Sequence, residues 1–478
     1  MESSDLMTLK VFNTLTSKKE LFKPLNNKKV KLFVCGVTVY DYVHLGHART
    51  YSFYDTLVRF LRYLGYKVTY LQNVTDVGHL LDTGEDRLIK KAKEEQKDPM
   101  EIAQFYLNHW IEMMEKLKLQ KPNLLPRATD HIKEIIEQVE TILKNGYAYI
   151  ANDSVYFDVS KFKDYGKLSK KVPKDLIPGA RVELNVDKDD PHDFALWIKA
   201  APEHILRWQS PWSEWGYPGW HIEDTAIAMK YFGPHYDIHG GAIELAFPHH
   251  EAEIAQAEAT TGKKPYVKYW VHTGLLTIGK EKMSKSKGNF IKLSDALSKH
   301  SAETLRIWMA STYYRKPLDY NERDLEVAEK KINKISITLE KIKQNMSKKG
   351  KQLFSKKIET LRKKFFETME DNLNTPLALT YFFEIISLVN KQIDKKKFST
   401  ADLKNAEKVI HELGDLFQII PEIKVTKLAK EAEDLIQKRE EARRNGDFQM
   451  ADEIRKKINE LGYSIEDTPD GVKWKKVK

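Results

Sequence analysis

One turn constrains this chain more than any other feature: an apolar run ends, a helix begins, and the junction reads His44-Leu45-Gly46-His47. Upstream, Val30-Lys31-Leu32-Phe33-Val34 has the pattern of a buried strand. Downstream, residues 48–64 carry apolar side chains at helical spacing. In open parallel sheets a strand that hands over to a helix marks the edge where ligands bind. Backbone N–H groups and the helix dipole favour a phosphate there. Gly46 has no Cβ, so a flat base or ribose can approach the backbone. His44 and His47 can donate hydrogen bonds to phosphoryl oxygens as charge shifts in a transition state. Far downstream, Lys282-Met283-Ser284-Lys285-Ser286 lies in a Gly-, Ser- and Lys-rich stretch, residues 279–289. A mobile loop carrying Lys282, Lys285 and Lys287 suits a closing electrostatic clamp on a polyphosphate. Read alone, each string is an ordinary surface turn. In this order they describe a split nucleotide site.

The order of pieces supports an α/β architecture. Strand 30–34, helix 48–64 and strand 67–72 form one β-α-β unit, and Asn73-Val74-Thr75-Asp76 follows at a carboxyl edge. Residues 8–22 read as an arm, and 84–117 as helical. Between 125 and 214 the pattern turns mixed, with Pro173, Pro178, Pro191 and Pro202, as in an insertion. A second half carries helix 223–231, strand 236–239, helix 249–261 and strand 266–271. From 294 to 417 helices dominate; helical runs at 435–445 and 447–461 and a small strand pair close the chain. The predicted fold is a doubly wound Rossmann-type catalytic domain split by an insertion, then a mostly helical region with a small mixed terminal module. Its parts are 1–124 with 215–275 (nucleotide fold), 125–214 (insertion), 276–330 (Lys-rich loop and the stretch after it), 331–425 (helical) and 426–478 (terminal module).

Composition narrows the partners. At 478 residues the chain is too long for one simple core. Its net charge of +10 suits a polyanion. A single cysteine, Cys35, excludes an internal disulfide and points to a reducing compartment, the cytosol. No apolar run reaches the eighteen or so residues that a membrane span needs.

The two strings resemble the signature of class I aminoacyl-tRNA synthetases. Further segments resemble cysteinyl-tRNA synthetases in particular. They include Phe33-Val34-Cys35-Gly36-Val37-Thr38-Val39-Tyr40-Asp41, Asn73-Val74-Thr75-Asp76-Val77, Phe194-Ala195-Leu196-Trp197 and Pro218-Gly219-Trp220-His221-Ile222-Glu223. Asp237-Ile238-His239-Gly240-Gly241, Phe247-Pro248-His249-His250-Glu251 and Glu253-Ile254-Ala255-Gln256 join them. Near the end, Arg443-Arg444, Ala451-Asp452-Glu453-Ile454-Arg455 and Glu466-Asp467-Thr468-Pro469-Asp470-Gly471 resemble that family's C-terminal module.

The resemblance implies a two-step reaction. The cysteine carboxylate attacks the α-phosphorus of ATP, and the 3′-terminal ribose of tRNA(Cys) then takes the cysteinyl group. It also implies one zinc ion per chain that binds the substrate thiolate, with magnesium travelling with ATP. The implied metal ligands are Cys35, Asp224, His249 and Glu253; His249 and Glu253 share a helical face at their spacing of four. The family string is Trp-His-Ile-Glu-Cys, whereas this chain ends it in Asp224. Three readings stay open: Asp224 ligates through oxygen; His221, His239 or His250 substitutes; or the metal is weak and packing selects the amino acid.

Other roles carry over by motif. His44, Gly46, His47 and Lys285 fall to ATP, with Lys282 assisting Lys285. Thr75, Trp220 and Cys35 fall to cysteine. Arg443, Arg444 and Trp474 fall to the tRNA anticodon. The expected assembly is a monomer. Two other readings are a cysteine ligase that passes the acyl group to an amino sugar, and a synthetase-derived RNA-binding protein. The first would lack the C-terminal module, and the second would have lost His44, His47 or Lys285.

Overall fold

The computed structural model describes residues 8–78, 86–171, 187–202, 204–283, 288–346, 353–422, 430–468 and 471–476. The chain forms two compact units, Met1–Pro421 and Glu422–Lys478. The first opens with an antiparallel hairpin, β1 (Lys10–Asn13) and β2 (Lys18–Leu21), where the sequence suggested only an arm. Strand β3 (Lys29–Thr38), helix α1 (Leu45–Tyr63) and strand β4 (Lys67–Thr75) follow as the expected β-α-β unit. Both strands outrun the apolar pattern. In β3 the register with β4 slips between Val34 and Val37, so pairing resumes past a bulge. Helix α1 starts three residues before the predicted 48, because His44 itself is its N-cap, a role usually read from Ser, Thr, Asp or Asn.

The predicted helical stretch resolves into α2 (Arg87–Glu95) and α3 (Pro99–Lys116). Asp98 caps the second and Pro99 sits at its first turn, which explains the break. Helix α4 (Ile132–Lys144) leads into the insertion. Its strands β5 (Ala148–Ala151), β6 (Ser154–Phe157), β7 (Phe194–Lys199), β8 (Trp208–Ser210) and β9 (Ser213–Pro218) form an antiparallel sheet ordered β5-β6-β7-β9-β8. The insertion shares one continuous core with the main sheet: Phe157, Trp197 and Trp212 belong to the same buried cluster as Phe33, Leu71 and Trp270.

The second half of the main sheet comprises α5 (Ile222–Phe232), β10 (Tyr236–Ala242), α6 (His249–Thr261) and β11 (Val267–Thr273). The strand order is β11-β10-β3-β4, every pair parallel. The two β-α-β halves thus meet between β10 and β3, the crevice where doubly wound sheets bind ligands. After it, β12 (Leu276–Ile278) and β13 (Glu281–Lys282) make a tight hairpin. Helices α7 (Leu293–Lys299) and α8 (Ala302–Ala310) come next. A strand, β14 (Leu318–Tyr320), then pairs parallel with β12, inside a region expected to be helical.

Helices α9 (Glu322–Asn345), α10 (Ser355–Glu370), α11 (Thr375–Asp394) and α12 (Thr400–Phe417) pack together. They are tied to α1 by the Tyr63 hydroxyl, which donates to Glu412 at 2.7 Å, and by Tyr63 stacked on Phe366. The second unit holds α13 (Lys430–Arg444), α14 (Phe448–Glu460) and the antiparallel pair β15 (Tyr463–Thr468) and β16 (Gly471–Lys476). Ala432, Ile454, Ile458, Tyr463 and Ile465 form its core. Among the described residues no helix is long and apolar enough to cross a membrane.

Candidate active site and metal pocket

The turn before α1 is a reciprocal cap made by two histidines. His44 Nδ1 accepts the backbone N–H of Gly46 at 3.0 Å and of His47 at 3.3 Å. His47 Nδ1 accepts the backbone N–H of His44 at 3.2 Å. The rings stack with centroids 3.8 Å apart. Burial foremost, then repulsion between a proton there and those of His47 and Lys282, holds His44 down to about 2. Burial also holds His47 down to about 4, against the opposing pull of Glu244. Both imidazoles are therefore neutral at pH 7. With each Nδ1 accepting, each single proton sits on Nε2. The pair presents two neutral N–H donors at a helix N-terminus. Gly46 serves this cap directly: a Cβ there would lie 2.7 Å from the His44 ring.

The Lys-rich stretch is joined to this turn through the backbone. Leu45 N–H donates to Ile291 O at 3.1 Å, Leu293 N–H donates to Val43 O at 3.0 Å, and His44 bridges Lys292. Lys282 on β13 forms an ion pair with Glu244, which follows β10. Lys285 and Lys287 lie outside the described residues. Arg49, one turn into α1, was not singled out from the sequence. It is 3% exposed, and its guanidinium donates to the carbonyls of Leu275, Tyr314 and Lys316. It therefore links the His44 helix to the roots of β12 and β14. A buried arginine that serves only carbonyls leaves no charge pattern in the sequence to find it by.

Below the turn, the structure brings Cys35, Asp224, His249 and Glu253 together, all buried, with ligand-type atoms within 4.8 Å of one another. Cys35 lies at the β3 bulge. There the Gly36 N–H donates to Asn73 Oδ1 at 2.7 Å, and a Cβ on residue 36 would sit 1.6 Å from Asn73 O. Only glycine permits that approach. Asp224, in the first turn of α5, takes a hydrogen bond from Asn73 Nδ2 on one oxygen. Its other oxygen lies 3.1 Å from His249 Nε2. His249 Nε2 is 3.2 Å from Glu253 Oε1, as their spacing on α6 predicts. Trp220 stacks on His249 at 4.8 Å, and Thr75 Oγ1 receives Asn73 Nδ2 at 3.2 Å. Cysteine-site and metal-site candidates therefore form one connected cluster.

The pocket holds more histidine than that set uses. Cys35 Sγ is 3.1 Å from His250 Nε2 and 3.4 Å from His239 Nε2, and these two join Cys35 and Glu253 in a second compact group. The donors present fit a divalent cation such as zinc: one thiol, imidazoles and carboxylates, all buried. Glu253 Oε2 is buried without a hydrogen bond. Burial foremost, then Asp224 and Glu253, pushes the Cys35 thiol up, so a cation is what would bring it to thiolate.

In the second unit, Arg443 is engaged by Asp467, which also receives Arg439 Nη1 and Nη2 at 2.8 and 2.7 Å. Arg444 is exposed, with Nε donating to Glu440 O at 3.3 Å. Trp474 is in register with Ile465 on the terminal strand pair.

Three family models match the chain: "tRNA synthetases class I (C) catalytic domain" over 21–330, "DALR domain" over 364–420, and "Cysteinyl-tRNA ligase anticodon binding domain" over 426–474. Cysteine--tRNA ligase of Chlorobium chlorochromatii is 42% identical over 482 residues, covering 98% of this chain and 99% of the relative. That of Thermococcus kodakarensis is 43% identical, covering 99% and 100%. Among solved structures, Mycobacterium tuberculosis methionyl-tRNA synthetase with methionyl-adenylate matches at TM-score 0.60 and 14% identity, covering 82% of this chain and 90% of that one. The LeuRS-tRNA-LeuAMS complex of Agrobacterium radiobacter K84 matches at 0.59 and 10%, covering 83% and 85%. At that identity the likeness is one of fold.

Proposed function

This chain belongs to the cysteinyl-tRNA synthetase family, and we propose from its pocket how it carries out that family's reaction, the ATP-dependent ligation of cysteine to tRNA(Cys). The cysteine carboxylate attacks the α-phosphorus of ATP and pyrophosphate leaves. The 3′-terminal ribose hydroxyl then attacks the acyl carbon and AMP leaves. No protein nucleophile is required, so catalysis is positioning and charge stabilisation.

His44 and His47 donate through Nε2 to the phosphates, held in that tautomer by the cap. Lys282, and Lys285 beyond the described residues, neutralise the departing pyrophosphate, and magnesium accompanies ATP. Lys282 must leave Glu244 to do so. Thr75 and Trp220 hold the amino and carboxylate ends of cysteine. Cys35, Asp224, His249 and Glu253 are the proposed zinc ligands. Zinc held by them would supply a Lewis acid that favours a substrate thiolate over the harder hydroxyl of serine. Arg444 and Trp474 are proposed contacts to anticodon bases, with Arg443 joining them once released from Asp467.

The observation that carries this reading is a buried cysteine on the strand that feeds the His44 turn, gathered within 4.8 Å of a buried histidine and two buried carboxylates from α5 and α6. The match of residues 426–474 to an anticodon-binding domain favours tRNA over an amino-sugar acceptor. The test is aminoacylation of a tRNA(Cys) transcript. Charging with cysteine and none with serine is expected. Preference for another amino acid, or transfer only to an amine, would overturn the reading.

A further inference from the structure

Helix α3 carries one aromatic side chain that its own packing does not need. Ile102, Tyr106, Trp110 and Met113 follow the helical period into the core. Phe105 falls outside that stripe and is 54% exposed. It meets Tyr42 edge-on, with ring centroids 6.3 Å apart, on the loop that feeds the His44 turn. Tyr106 and His109 close on the same tyrosine ring at 5.2 and 4.8 Å.

Two cations attend this loop. Lys292, at the N-terminus of α7, sets its Nζ 4.4 Å from the centre of the Tyr42 ring. Arg87, at the start of α2, lies 5.5 Å from the ring centre of Tyr40. The acid between the two tyrosines, Asp41, accepts the backbone N–H of Tyr42 at 2.6 Å. Rings interleaved with cations, one ring standing exposed, suit a strand of unpaired nucleotides: bases stack on the rings and phosphates meet the cations.

The ends of the loop say which strand. Val39 N–H donates to Thr75 O at 3.2 Å, so the loop starts beside a residue proposed to hold cysteine. It ends at His44, proposed to hold the phosphates. In a cysteinyl-adenylate the acyl carbon lies between those two groups. The ribose hydroxyl that attacks it has to cross the rim between them, and residues 40–42 form part of that rim.

We propose that Tyr40, Tyr42, Arg87, Phe105 and Lys292 form a shelf for the unpaired 3′ end of tRNA, with a base stacked on Phe105 and phosphates drawn to Lys292 and Arg87. This rests on the reading that the chain charges tRNA.

The test compares two reactions of the full-length protein: cysteine-dependent ATP–pyrophosphate exchange, which uses no tRNA, and charging of a tRNA(Cys) transcript. Phe105→Ala should lower kcat/KM for tRNA by about 10-fold or more and leave KM for ATP and for cysteine in exchange as in the wild type. Phe105→Tyr should charge like the wild type and Phe105→Leu like Phe105→Ala, which separates a stacking ring from apolar bulk. Lys292→Gln should flatten the dependence of log KM for tRNA on log salt by about 0.7. Removing the unpaired 3′ nucleotides from the transcript should weaken its binding to the wild type and make little difference to Phe105→Ala. Undiminished charging by Phe105→Ala or Phe105→Leu would overturn the proposal. So would a raised KM for ATP in Phe105→Ala, which would make the shelf a seat for the adenine of ATP. A wild-type chain that runs exchange but charges no tRNA would sink the tRNA reading itself, a different result.

Discussion

His44 and His47 cap one another: the Nδ1 of each accepts the backbone N–H of the other, at 3.3 and 3.2 Å. One interaction thus ends the helix and fixes the tautomer of both rings, so the cap and the phosphate-facing donor are opposite ends of the same imidazole. Asparagine can mimic the first end and not the second. His44→Asn is expected to hold thermal stability near wild type while ATP–pyrophosphate exchange falls by about 10²–10³ in kcat. His44→Ala should lose the same activity and also about 1 kcal/mol of stability. Equal destabilisation by both variants, or retained exchange in His44→Asn, would count against this division of labour.

Because burial holds His44 to about 2 and His47 to about 4, neither ring gains a proton in the working range. The kcat/KM for ATP should show no inflection near pH 6.5, where a free histidine titrates. A rise on acidification through pH 6.5 would mean that a histidinium, not a neutral N–H, meets the phosphates.

Arg49 ties the His44 helix to the hairpin that carries Lys282, through the carbonyls of Leu275, Tyr314 and Lys316. Lysine keeps the charge but has no planar fork to serve three acceptors. Arg49→Lys should cost about 2–4 kcal/mol in chemical denaturation through the buried carbonyls left unpaired. It should also raise KM for ATP more than KM for cysteine. Parallel shifts in both constants would mean that Arg49 supports the fold only.

In the terminal unit, hydrogen bonds from Arg439, then Arg443, hold the Asp467 carboxyl down to about 2. A carboxyl depressed in the folded state stabilises above its unfolded pKa, and that stability drains as pH falls from about 4 toward 2. With the Asp467 side chain 38% exposed, screening reduces the effect to about 1 kcal/mol. Hydrogen exchange of α13 should therefore quicken across that window in the wild type and be flat in Asp467→Asn. The same variant frees Arg443, and a gain in tRNA affinity at low salt is expected from it.

The reach of the sequence differed by element. The parallel halves were legible because strands 30–34 and 67–72 and helix 249–261 carry clean apolar periods, and the last matches α6 end to end. The early start of α1 was not legible, because a histidine cap belongs to no common capping pattern. The hairpin at 10–21 and strand β14 escaped because short strands such as Lys18-Lys19-Glu20-Leu21 lack an apolar alternation. In the site, residues that the chain shares with its family were found by motif, and the structure brings Cys35, Asp224, His249 and Glu253 together. Arg49 and Glu244 were missed, since their partners are remote in sequence: Arg49 serves carbonyls beside β12 and β14, and Glu244 meets Lys282 on β13. The sequence could name His221, His239 and His250 as alternatives but not where each would lie; the fold sets His250 and His239 at 3.1 and 3.4 Å from Cys35 and His221 at 2.8 Å from His249.

The central claim is that a metal ion in this pocket selects cysteine by its thiolate. Cysteine-dependent ATP–pyrophosphate exchange, with zinc content measured before and after chelation, tests it most directly. About one zinc per chain, exchange abolished when the ion is removed, and recovery on its return are expected. Full cysteine-dependent exchange in zinc-free protein would contradict it.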